Sequence, residues 1–339
     1  MRVLTKKRQI ASSYRKMREA LLAGAVRHRK FVGWRSGGNQ FDVYYRETDG
    51  FWCLLRPIED SYWCCFGTQN PEQYDGLEIT CEINPPYSGE NKRAAGRFVV
   101  DGEGHVYLTH SGRIGGGRLG IGKQSFLANY RGENLRSIHW PSGDNTDAVI
   151  VGDIESSLFG SYVGHFVNEV GRIKRLISEG GGASSVPGDS GSNDSFSPEF
   201  SGRRGWSSSR QEIEAECNHG LVVDALFKYL NERGYSPSND RARDLYLRNN
   251  DGSVSYLFEV KTAVNTTSVY CAIGQLFINA KLDKGDPLKI ILVPQSLTPT
   301  MAGAIKSLGI CGLVYSFNAG VTQLPEELSA LLEPVSKRE

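Results

Sequence analysis

The chain is expected to be a mixed α+β protein in two parts: a β-rich α+β domain, then a smaller α/β domain with a central mixed sheet flanked by helices. Three observations predict this. Its 339 residues suit two cores better than one. Residues 178–208 are rich in Gly, Ser and Pro with little apolar material to bury, the composition of a tether. Across that stretch the rhythm changes from closely spaced strands to alternating helices and strands.

The first part spans residues 1–177 and opens with a basic helix over residues 5–24. Phe41–Glu47 and Phe51–Pro57 flank Thr48-Asp49-Gly50, a hairpin signal. Tyr62–Gly67 and Leu77–Ile83 read as further strands. Phe98–Val100 and His105–His110 form a second hairpin about Asp101-Gly102-Glu103-Gly104, and Ala148–Ile154 is another apolar strand. Leu158, Tyr162, Phe166, Val170, Ile173 and Ile177 recur at helical spacing and close this part.

The second part spans residues 209–330. Ser209 is placed to cap a helix that runs to Arg233 and stops at Gly234. Asp244–Arg248 and Val254–Lys261 are strands joined through Asn249-Asn250-Asp251-Gly252. Ser268–Lys284 is a helix stopped by Gly285, and Lys289–Pro294 is a fully apolar strand of the kind buried in a parallel sheet. Thr298–Leu308 is a helix and Gly312–Ser316 a last strand.

Net charge is +1, so the overall balance selects no partner, but its distribution does. Residues 1–35 hold eleven Lys or Arg, among them Lys6, Lys7, Arg8 and Arg15, against the single acid Glu19. Such density is an electrostatic footprint for nucleic acid, or else a solvated end of the chain. No apolar run reaches the roughly 18 residues of a membrane span, and the basic start lacks the apolar centre of an export signal. No membrane partner is expected, and the cytoplasm is the expected location. The seven cysteines form no CxxC pair, which favours buried free thiols over disulfides or zinc.

The chemistry gathers on the hairpin of the second part. Strand side chains alternate with period two, so Glu259 and Lys261 share one face, and a short hairpin brings Asp244 beside them. Two carboxylates on one face suit a hard divalent cation such as Mg²⁺. A lysine two residues on can orient an attacking water and offset charge developing on a phosphate.

Asp244…Glu259-Val260-Lys261 resembles the PD-(D/E)xK signature of restriction-endonuclease-like nucleases, and the α-β-β-α-β order is similar to the core of that superfamily. The resemblance covers residues 208–317. It implies an α/β restriction-endonuclease-like domain in which Asp244, Glu259 and the Val260 carbonyl bind Mg²⁺, with Mn²⁺ able to substitute, and Lys261 is the catalytic lysine. It also implies a helix residue joining the site, for which Glu216 and His219, three apart, are the candidates. Ala272-Ile273-Gly274-Gln275-Leu276 resembles an AxGQL segment whose glutamine, here Gln275, approaches the active site. The chain departs from the pattern at Ala242-Arg243, where the name motif has proline, and at Asn279, where RecB-like members have tyrosine.

The implied function is a Mg²⁺-dependent DNA endonuclease of restriction or defence type. Its first part would select double-stranded DNA, modified DNA included, and two copies would act together for double-strand cleavage. A binding protein of the same fold without catalysis is the alternative. A further alternative uses Gly117–Lys123, which matches the first seven positions of a phosphate-binding loop but is followed by Gln124 instead of Ser or Thr. As a nucleic-acid loop the same region offers Arg113, Arg118 and Lys123. The aromatics Trp34, Tyr44, Tyr45, Trp52, Trp63 and Trp140 are either core or platforms for an extruded base.

Overall fold

The computed structural model describes residues 1–33, 39–115, 121–132, 134–179, 210–240, 242–282 and 286–332. It is a mixed α+β fold with several sheets and, among the described residues, seven helices. The chain divides into two compact units, Met1–Ile213 and Glu214–Glu339. Of the expected tether, residues 180–208 lie outside the described residues, as do Trp34, Arg118, Ser209 and Gly285.

The first unit runs β1 (Arg2–Val3), α1 (Lys7–Leu22), β2 (Val26–Gly33), β3 (Asn39–Arg46), β4 (Phe51–Pro57), β5 (Tyr62–Gly67), β6 (Gly76–Glu78) and β7 (Cys81–Glu82). It continues with β8 (Gly96–Val100), β9 (Val106–His110), α2 (Lys123–Asn129), β10 (Leu135–His139), β11 (Asn145–Asp153) and α3 (Phe159–Glu179). A six-stranded sheet has the order β6-β2-β3-β4-β5-β7, and β1-β10-β11-β9-β8 closes into a barrel. Ile10, Tyr14, Met17 and Leu21 of α1 recur at helical spacing, and so do Phe159, Val163, Phe166 and Val170 of α3. Both stripes enter one apolar core with Phe51, Phe66, Phe98 and Leu108 of the sheets.

Three expectations for this unit change. Leu77–Ile83 is not one strand: β6 pairs with β2 on one edge of the sheet and β7 with β5 on the other. Leu77, Ile79, Cys81 and Ile83 are all buried, so alternation is kept while the pairing partner switches. The basic start is not a free arm, because β1 pairs with β8 and β10, and β2 is a full strand against β3. The region after β9 also holds a helix, α2, which begins at Lys123.

The second unit runs α4 (Arg210–Glu232, whose first turn precedes the division), β12 (Leu245–Arg248), β13 (Val254–Val260), α5 (Thr266–Leu282), β14 (Leu288–Val293), α6 (Pro299–Ser307), β15 (Ile310–Val314), β16 (Ser316–Asn318), β17 (Val321–Gln323) and α7 (Glu327–Leu331). Its main sheet has the order β12-β13-β14-β15, antiparallel in the first pair and parallel in the next two. Val222, Leu226 and Leu230 of α4 pack with Phe258 and Val260 on one side of the sheet. Val269, Ala272 and Leu276 of α5 pack with Leu257 and Ile291 on the other. None of the described helices is long and apolar enough to cross a membrane.

Candidate active site

The hairpin of β12 and β13 turns at Gly252, whose φ of +82° is costly for any residue with a Cβ. Leu245 pairs with Phe258, so the next step along the ladder brings Asp244 level with Glu259. Helix α4 carries His219 to this end of the sheet, and α5 carries Gln275.

The contacts form a connected cluster. Asp244 Oδ2 accepts the Val260 backbone N–H at 2.7 Å and lies 3.2 Å from His219 Nε2. Lys261 Nζ donates to Glu259 Oε1 at 2.6 Å and to Gln275 Oε1 at 2.9 Å. Glu259 is only 2% exposed, and Asp244 is half-buried. Burial, and then the charge of Asp244, raise the Glu259 carboxyl above its ordinary range, against the pull of Lys261. Burial opposes ionisation of Asp244 as well, but His219, the Val260 N–H and Lys261 outweigh it and hold that carboxyl low. Two neighbouring carboxyls of this kind, one of them resisting ionisation, are relieved by a nearby cation.

Among the described residues, no three His, Cys, Asp or Glu side chains are gathered as a metal-binding group. The donors that fit a hard cation are the two carboxylates and a backbone carbonyl, with water completing the shell as Mg²⁺ prefers. Glu216 lies one turn before His219 on α4, with its Oε2 buried.

Two further residues support the cluster, and sequence reasoning does not single them out as parts of the site. The Tyr315 hydroxyl donates to the Lys261 carbonyl at 3.0 Å. Asn279, which the sequence marks only as a departure from a family pattern, donates from Nδ2 to the Ala242 carbonyl at 2.8 Å. It thereby ties α5 to the segment that carries Asp244. Asn279 follows Gln275 by four residues, which places both on one face of α5.

The chain matches no protein-family model, no curated protein and no solved structure.

The nucleic-acid residues expected in the first unit are dispersed. Lys6, Lys7, Arg8 and Arg15 are exposed at or along α1, and Arg113 is exposed after β9. Lys123 Nζ donates to the Asp147 carbonyl at 2.7 Å. Several cations of the basic start are already paired: Lys16 with Glu155, Arg27 and Arg29 with Asp42, and Lys30 with Asp75. Trp52 and Trp140 are buried, which removes them as platforms for an extruded base. Tyr44, Tyr45 and Trp63 are half-buried.

Proposed function

We propose that the second unit is a Mg²⁺-dependent endonuclease of restriction-endonuclease-like type that hydrolyses phosphodiester bonds in double-stranded DNA. The observation that supports it is the connected cluster of His219, Asp244, Glu259, Lys261 and Gln275 at one end of a mixed sheet. Asp244, Glu259 and the Val260 carbonyl would hold the cation, with Glu216 as a further oxygen donor. When bound, Mg²⁺ polarises the phosphoryl oxygen and lowers the pKa of water at the site.

The chain's own residues do the rest. Lys261 offsets negative charge developing on the phosphate and orients the attacking water. Gln275 and Glu259 fix the position of its ammonium group. His219 and the Val260 N–H fix the Asp244 carboxylate, so its placement costs little at the moment of reaction. The first unit would select the DNA, with two copies of the chain acting together on a duplex.

The test is incubation of the full chain with modified and unmodified duplexes, with and without Mg²⁺, followed by mapping of the ends. Mg²⁺-dependent ends support the proposal. Binding without cutting in either Mg²⁺ or Mn²⁺ would assign the chain as a binding protein.

A further inference from the structure

Arg97 is a buried charge in the first unit that the proposed chemistry does not use. It lies on β8 and is 3% exposed. A guanidinium at that depth ordinarily meets a carboxylate, because an uncompensated buried ion is costly. Arg97 instead donates from Nη2 to the Ala94 carbonyl at 2.5 Å and lies over Trp140, 4.8 Å from the ring centroid. Its Nε is buried and has no hydrogen-bond partner among the described residues. Burial lowers the guanidinium to about 10, with no carboxylate among the described residues acting on it.

The surrounding charges do not neutralise it. Burial first, and then Arg97, lower the Lys123 ammonium, and the same two causes keep the buried His110 ring neutral. Lys92, also over Trp140, is paired with Asp144. Beside Arg97 is a cavity of about 10 Å³ with mostly apolar walls, Val3, Leu4, Ile10, Phe98 and Trp140 among them, and with Asn91 as a polar neighbour. That volume holds roughly one oxygen-sized atom.

We infer that Arg97 and this cavity form an oxyanion subsite that takes one non-bridging oxygen of a nucleic-acid phosphate. A water there would satisfy an N–H but leave the charge uncompensated, whereas a phosphate oxygen does both. The cavity is too small for a base. The subsite rests on the proposed contact between the first unit and DNA, but not on cleavage.

The test is NMR of the full chain labelled at arginine Nε, titrated with inorganic phosphate and, separately, with a short duplex. A single Nε–H signal should move saturably with the duplex and be missing from Arg97→Lys, whose duplex affinity should fall by about tenfold. Saturation by phosphate and not by the duplex would overturn the nucleic-acid assignment and make free phosphate the ligand. No saturable movement with either probe, or an Arg97→Met variant that binds the duplex as well as the parent, would overturn the subsite itself. Should Arg97→Lys fail to fold, Arg97→Met assigns the moving signal in its place. Absence of cleavage with this signal intact would count against the nuclease reading only.

Discussion

Asp244 Oδ2 accepts the Val260 N–H at 2.7 Å, so one carboxylate is tied to the strand that carries Glu259 and Lys261 on either side of Val260. Movement of either strand therefore changes the spacing of all three groups together. Replacing Glu259 or Lys261 by Ala should abolish Mg²⁺-dependent cleavage, a loss of about a thousandfold or more, with the fold retained by circular dichroism. Unchanged cutting by either variant would remove the proposed site.

His219 and Glu216 can be separated by metal titration. His219→Ala frees the Asp244 carboxylate from its helix contact and should raise the Mg²⁺ concentration needed for half-maximal cleavage. Glu216→Gln should do the same only if its oxygen reaches the cation. If neither titration moves, α4 contributes packing alone.

Asn279→Ala removes the donor to the Ala242 carbonyl and should cost about 1 kcal/mol of stability. Cleavage should fall with it while Mg²⁺-independent DNA binding is kept. A stability loss with full activity would make Asn279 a structural residue only.

His110 gives the first unit a pH dependence. Burial, and then Arg97, lower its ring to about 3, below the ordinary value of 6.5. The stability linked to the neutral ring is therefore complete above about pH 6.5 and is lost as pH falls toward about 3. His110→Gln should move the acid unfolding midpoint lower, by roughly one pH unit. An unchanged midpoint would show that other groups govern acid unfolding.

The exposed cations of α1 are candidates for general DNA affinity. Replacing Lys7, Arg8 and Arg15 by Gln should flatten the dependence of duplex binding on salt, since each phosphate contact releases counterions. An unchanged salt slope would clear α1 of any phosphate contact. Substitution is the cleaner experiment here. Deleting the basic start would remove β1 and a helix whose Ile10, Tyr14, Met17 and Leu21 are core residues.

The second unit is legible in sequence because its signals are local. Period two places Glu259 and Lys261 together and the turn fixes Asp244 opposite them, whereas His219 and Gln275 are brought out only by the resemblance to the nuclease pattern. Asn279 and Tyr315 are not legible as site residues, because each acts on a backbone carbonyl far away in sequence and nothing in spacing encodes that approach. In the first unit, β2 is hidden by its own charges: Arg27, Arg29 and Lys30 read as a solvated stretch although they lie on a strand. A two-residue strand such as β1 has no periodicity to read.

That short strand has a consequence for synthesis. Arg2 pairs with Val100 on one side and His139 on the other. The barrel can close only when β11, which joins β10 to β9, has left the ribosome, and β1 gains its second partner only once β10 has emerged. Until then the far edge of β1 is open to pairing with other chains. Any bulk attached ahead of Met1 would sit at that seam and bear on the last step of closure.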